Sequence, residues 1–241
     1  MNLVLLSNGI IAGKERVLEY GLETIRAVVE KTGARKFVLI PYAVIRSSHD
    51  DRVALVQATM AELGCEVIGL HCCPDPVAAI EQADGIIVSG GNTWVLNKTL
   101  HDLGLVNVIR KAVIRHNKPY IGWSAGANIA CPTIRTTNDM PIVTSVVMNS
   151  LNLVPFQINP HYIDMTLSGH NGETRDQRIE EFLAVNRHEV VAGLPEGTLF
   201  HVDGEALRFV SANDKPMKLF RYGEAPQLFT EHDSVQFLMD Q

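Results

Sequence analysis

Alternation of short apolar runs with helical stretches predicts an α/β fold: doubly wound, with a mostly parallel sheet covered by helices on both faces. The runs Leu3 to Leu6, Phe37 to Ile40, Val67 to Leu70, Ile86 to Val88 and Tyr120 to Trp123 are almost uninterrupted by polar residues. A strand of that composition is buried on both faces, as in a parallel sheet. The last of these runs enters a glycine-flanked serine turn, and the chain closes towards its C-terminus with an antiparallel hairpin pattern.

After the first strand, Glu15 to Glu30 carries Val17, Leu18, Leu22, Ile25, Val28 and Val29 at helical spacing, and Thr32-Gly33 closes it. Ser47-Ser48-His49-Asp50 offers caps for a helix through about Leu63, ended by Gly64. Pro76 to Gln82 is a short helix after the third strand, and Asn92 to Lys111 holds one or two helices after the fourth. Beyond about residue 133 the pattern loosens. Phe156 to Asn159 and Val190 to Leu194 read as further buried strands, with a helix from Thr174 to Ala184 between them. Leu199 to Val202 and Ala206 to Val210 flank Asp203-Gly204-Glu205, which is the hairpin signal. No Pro-, Gly- or Ser-rich linker, charge block or repeat divides the chain, so residues 1–241 are expected to form one domain.

Composition narrows the class. Hydrophobic residues make up 46% and charged residues 20% of the chain, with 18 glycines and 11 prolines, which removes collagenous and low-complexity readings. A net charge of −6 lacks the basic field of a protein that binds nucleic acid. Cys72 and Cys73 are adjacent, without the spacing of a redox pair or a zinc knuckle, and with Cys65 and Cys131 they are expected to be buried free thiols. The N-terminal run has no basic region before it and is too short for a signal sequence, and no apolar run is long enough for a membrane span. A cytoplasmic location is expected.

The strongest chemical signal is Gly122-Trp123-Ser124-Ala125-Gly126, which follows a strand and opens a helix of small residues. A serine so placed sits on a tight turn that lifts its hydroxyl off the end of the sheet, the arrangement of a nucleophile elbow. The hydroxyl needs a base, and the base needs an orienting group. Among the nine histidines, His161 follows the apolar strand Phe156 to Ile158, and strand ends are where a doubly wound fold presents ligand-facing groups. His49, His71, His101, His116, His170, His188, His201 and His232 fall mostly in helices, exposed turns or the tail.

Two acids compete for the orienting role. Glu196 lies just beyond the strand Val190 to Leu194, and Asp139 lies in a polar loop after the serine. Strand-end placement favours Glu196, giving the chain order Ser, His, Glu, whereas an α/β-hydrolase runs Ser, acid, His. Because these groups come from both halves of the chain, a single sheet running across most of it is expected. The backbone N–H of Ala125 would face an oxyanion, with a second donor from the turn Ser89-Gly90-Gly91-Asn92-Thr93. That glycine pair lacks the spacing of a dinucleotide loop.

The segment Gly122 to Ile142 closely resembles the peptidase E family of α-aspartyl dipeptidases. The likeness extends to Gly90-Gly91-Asn92-Thr93, Gln157-Ile158-Asn159-Pro160-His161, Gly172 to Arg178 and Leu194-Pro195-Glu196-Gly197, in order over roughly residues 1–200. The resemblance implies a cytoplasmic serine exopeptidase acting on dipeptides with N-terminal aspartate. The implied fold is related to class I glutamine amidotransferases, which carry cysteine where this chain has Ser124. It implies Ser124 as nucleophile, His161 as general base, Glu196 as third member, and Gly91 and Ala125 as oxyanion donors. Arg175 matches the arginine that meets the aspartyl carboxylate, and Asp139 is a candidate acceptor for the free amine of the substrate. No metal and no organic cofactor are expected. The expected partner is a small acidic dipeptide, and a monomer or a homodimer is expected. Two other readings fit the same residues: a serine hydrolase of β-linked or polymeric aspartyl amides, and a non-catalytic small-ligand binder.

Overall fold

The computed structural model describes residues 1–164 and 172–240; His170 lies outside them. The first half alternates as expected: β1 (Asn2–Leu6), α1 (Leu22–Thr32), β2 (Lys36–Ile40), α2 (His49–Met60), β3 (Glu66–Gly69), α3 (Pro76–Gln82), β4 (Gly85–Val88), α4 (Thr93–Asp102), α5 (Val106–Ile114) and β5 (Tyr120–Trp123). Strands β3, β2, β4, β5 and β1 lie side by side in that order, all parallel. The hairpin β8 (Thr198–Asp203) and β9 (Ala206–Ser211) extends this sheet to seven strands, β8 running antiparallel to β1.

Strand side chains point alternately to opposite faces, and both faces are covered. Leu3, Leu5, Ile86 and Val88 enter one core with Leu96 and Leu100 of α4 and Ile109 and Val113 of α5. Val4, Leu6, Leu39 and Ile87 enter the other with Ile25 and Val28 of α1 and Val56 and Met60 of α2. The continuous apolar runs therefore reflect double-sided burial.

Boundaries differ where backbone geometry overrides the apolar stripe. The first helix begins at Leu22, seven residues later than expected from Glu15. Leu18 has φ +65° and donates its N–H to the Gly9 carbonyl at 2.6 Å, which closes a loop. Val17 and Leu18 are buried as the stripe implied, but from that loop. Asn92 to Lys111 resolves into two helices. The N-terminus of α2 is capped as expected, Ser48 Oγ accepting the N–H of Asp51 at 3.0 Å.

The single-sheet expectation fails. Strands β6 (Gln157–Tyr162) and β7 (Val190–Pro195), with the helix α7 (Arg175–Val185) between them, pair with each other in parallel. They join β10 (Met217–Arg221) and β11 (Gln227–Phe229) in a second sheet of order β11-β10-β7-β6. Strand β8 turns back from β7 and occupies the free edge of β1, leaving no edge there for β6. The two sheets still share a core, because Ile158, Ala192, Leu194 and Leu219 pack in the cluster that holds Leu3, Leu5 and Phe200. Strands β10 and β11 went unread because each is short and interleaved with charged or polar residues. No helix among the described residues is long and apolar enough to cross a membrane.

Candidate active site

Strand β5 ends at Trp123, and Ser124 adopts φ +52°, ψ −113°, a conformation costing a non-glycine residue about 1–3 kcal/mol. The turn holds because Ser124 donates its N–H to the Leu6 carbonyl at 3.0 Å and the helix α6 (Ala125–Asn128) starts at once. A Cβ on Gly122 would lie 2.4 Å from the Gly126 carbonyl oxygen, and one on Gly126 would lie 2.3 Å from that of Val88. Both glycines are demanded by close backbone packing, so the elbow read in the sequence is present. Buried Tyr120 ties it down, donating its hydroxyl to the Gly126 carbonyl at 2.6 Å.

His161 reaches the serine by a different device. In β6 the register places Pro160 opposite Leu194 and Tyr162 opposite Pro195, so His161 is an extra residue in a bulge, with φ +52°. Its backbone N–H is accepted by Ser7 Oγ at 2.9 Å, and Ser7 donates to the Leu194 carbonyl at 2.7 Å. Nε2 of the ring lies 2.8 Å from Ser124 Oγ, and Nδ1 lies 2.7 Å from Glu196 Oε1. A carboxylate accepts only, so Nδ1 carries the proton and Nε2 presents its lone pair to the serine hydroxyl. Glu196 occupies the turn from β7 to β8. Asn213 Nδ2 donates to its carbonyl at 2.9 Å, and the Gly197 N–H donates to Asn8 Oδ1 at 3.0 Å.

Asp139 does not contact the histidine. Its Oδ2 accepts from the Thr93 N–H and the Thr93 hydroxyl, both at 2.7 Å, and from Thr137 Oγ1 at 3.2 Å. It thereby caps α4 and complements the positive end of that helix. Its Oδ1 has no partner among the described residues. The two acids considered for one role are thus divided between two positions on the same cleft.

The cleft has a volume of about 590 Å³, and its lining includes Gly91, Trp123, Ser124, Asp139, His161 and Glu196. Gly91 has φ +143°, and a Cβ there would lie 2.1 Å from the Ala43 carbonyl oxygen, so only glycine fits. The N–H groups of Gly91 and Ala125 have no acceptor among the described residues.

Arg175 does not line the cleft. It opens α7 behind a capping box formed by Thr174 and Gln177, and its guanidinium donates to Asn138 Oδ1. Asn138 in turn donates Nδ2 to the Pro160 carbonyl at 2.6 Å and accepts from Asn159 Nδ2 at 2.6 Å. Arg175 is thereby tied to the residue before Asp139 and the residue before His161. Burial holds its pKa below the ordinary arginine value. Three residues of the site escaped the sequence reading: Ser7, Asn8 and Arg52. The strand-end argument that selected His161 and Glu196 applies equally to Ser7-Asn8, directly after β1; nothing local distinguishes Arg52 from other helix arginines.

This frame is a known one. A sequence model described as peptidase family S51 matches residues 3–210. The chain belongs to peptidase family S51. "Peptidase E" of Nostoc sp. is 40% identical over 238 residues, covering 99% of this chain and 96% of the relative. "Peptidase E" of Escherichia coli is 49% identical over 197 residues, 82% of this chain and 84% of the relative. The fold also matches the crystal structure of a peptidase from an acI-B1 Actinobacterium, with TM-score 0.70 at 20% identity over 97% of this chain and 96% of that one. The family match makes the protein a peptidase, and it spans Ser124, His161 and Glu196.

Proposed function

We propose that this S51 peptidase is a serine dipeptidase that cleaves dipeptides with N-terminal aspartate. The observation that carries the reading is the chain of hydrogen bonds from Glu196 through His161 to Ser124, on a cleft where two backbone N–H groups have no acceptor among the described residues. Ser124 Oγ attacks the carbonyl carbon of the aspartyl residue while His161 Nε2 takes the hydroxyl proton. The carbonyl electron pair moves onto oxygen and is stabilised by the N–H groups of Gly91 and Ala125. Collapse of this intermediate breaks the C–N bond as His161 returns the proton to the leaving amine. Water, deprotonated by the same ring, then attacks the acyl-serine, and a second collapse releases aspartate and restores Ser124.

Specificity follows from the charged groups around the cleft. The Asp139 Oδ1 accepts the substrate's free α-amino group. Arg175, held on Asn138 and outside the cleft lining, takes the aspartyl side-chain carboxylate by turning its remaining guanidinium donors into the cleft. A fork of that kind fits a carboxylate with two parallel charge-assisted hydrogen bonds, and an asparagine side chain would turn one acceptor into a donor facing it. Neither a metal nor an organic cofactor enters any step.

The test is release of free aspartate from an Asp-X panel set against Asn-X, Glu-X and N-terminally blocked Asp-X. Cleavage confined to unblocked Asp-X supports the reading. Cleavage of blocked or β-linked substrates would instead favour a hydrolase of other aspartyl amides. Failure of a small reactive phosphonate to label Ser124, with no turnover of any substrate, would favour a binding protein.

A further inference from the structure

Arg52 is an unexplained charge in this cleft. It projects from the first turns of α2 into the space it shares with Trp123, Ser124 and Asp139. Its guanidinium carbon lies 5.8 Å from the centre of the Trp123 ring, so the indole supports its face. Its Nε is buried without a hydrogen-bond partner, and among the described residues the guanidinium makes no ion pair. The acidic residues that line the cleft, Glu15, Asp139 and Glu196, are all beyond ion-pair distance of it. The terminal nitrogens of this half-buried guanidinium also have no acceptor among the described residues, and they line the cleft that holds Ser124, so they can take an anion there. The same burial depresses its pKa.

The fold says which anion. Helix α2 packs through Val56 and Met60 on one face of the seven-stranded sheet, while α4, whose N-terminus Asp139 caps, packs through Leu96 and Leu100 on the other. Ser124 stands at the end of β5, between them. A dipeptide bound with its amine at Asp139 and its scissile carbonyl at Ser124 extends towards the α2 face. Its far terminus is a carboxylate, about 7 Å from its amine when fully extended. Ile10 and Leu55, half exposed on the same cleft, offer apolar surface to the second side chain.

We propose that Arg52 binds the C-terminal carboxylate of the dipeptide, so that the cleft measures its substrate from both ends. The inference rests on the dipeptidase reading above and adds the residue that excludes longer peptides.

The experiment compares kcat/KM for Asp-Leu and for Asp-Leu amide, which lacks the terminal charge, in the wild type, Arg52→Gln and Arg52→Lys. The wild type is expected to prefer the free carboxylate by at least about tenfold, the loss of one charge-assisted contact. Arg52→Gln should bring that ratio near one, chiefly through KM for Asp-Leu. Arg52→Lys should retain part of it, and keeps the test open should the glutamine variant fold poorly. An unchanged ratio in Arg52→Gln, or an equal loss on both substrates, would make Arg52 a prop for Trp123 and overturn the proposal. A shift instead in the Asp-Leu to Asn-Leu ratio would assign Arg52 to the aspartyl side chain and likewise overturn it. A wild type that cleaves neither Asp-Leu nor its amide would remove the dipeptidase reading itself, and this assignment with it.

Discussion

Ser7 Oγ, at the end of β1 in one sheet, accepts the backbone N–H of His161 in the other sheet at 2.9 Å. The same hydroxyl donates to the Leu194 carbonyl of β7, so one fully buried side chain fixes the bulge that aims the histidine. Ser7→Ala leaves a partly buried N–H and a buried carbonyl without that partner, at a cost of about 1–3 kcal/mol. Denaturant unfolding should show that loss. Steady-state kinetics should show kcat falling with KM little changed, because the histidine and not the binding groups is displaced. Equal stability and equal kcat would mean that the bulge is held without Ser7.

The division of roles between the two acids is open to a paired measurement. Glu196→Gln should lower kcat strongly, since it removes the negative charge that holds the Nδ1–H tautomer and stabilises the imidazolium. Asp139→Asn should act mainly on KM for the free amine and should loosen the start of α4. Ser124→Ala sets the floor, expected about 10⁴–10⁶ below wild type in kcat. If Asp139→Asn alone abolished kcat, Glu196 would not be the orienting acid.

Thiol chemistry should sort the cysteines by position. Cys131 is fully buried beneath the elbow helix, accepts the Ile158 N–H at 3.1 Å, and has its thiol pKa pushed up to about 12 by burial. Cys72, expected to be buried, is exposed. Mass spectrometry after brief treatment of the native protein with a maleimide should find Cys72 modified and Cys131 untouched, and unfolding should equalise them. Early modification of Cys131 would contradict the packing around α6.

Acid should weaken the hairpin that closes the large sheet. Burial in β8 lowers the pKa of His201 below its ordinary value. The folded chain therefore binds a proton there less readily than the unfolded one, whose imidazole titrates near 6.5. Stability from this group is intact above about pH 6.5 and falls as pH drops through that value. His201→Gln should flatten the fall in thermal midpoint between about pH 7 and 5.5. An unchanged slope would mean that other groups govern it.

Much of the architecture is local and was legible. Double-sided burial makes the five parallel strands continuous apolar runs, and the close approach of Gly122 and Gly126 to backbone carbonyls leaves glycine as the only fit around Ser124. His161 and Glu196, picked out by their places at strand ends, meet each other and Ser124 in the structure, and the same argument carried further reaches Ser7 and Asn8. Helix α1 was misjudged in length because a buried leucine in a left-handed turn keeps the helical apolar spacing while breaking the helix.

What the tertiary structure decided is long-range. The claim of β8 on the edge of β1 splits the strands into two sheets, and no periodicity encodes a competition for an edge. Glu196 meets His161 across 35 residues while Asp139 turns to Thr93 across 46, a choice made by packing alone. Arg175, matched by its motif, is drawn onto Asn138, whereas Arg52 enters the cleft because α2 lies against the face of the sheet that carries Trp123. Sequence by itself determines the elements and the chemistry available at their ends, because backbone geometry and burial are local demands. Which of those ends converge, and which charges are left unpaired there, depends on how edges and faces pair across the whole chain.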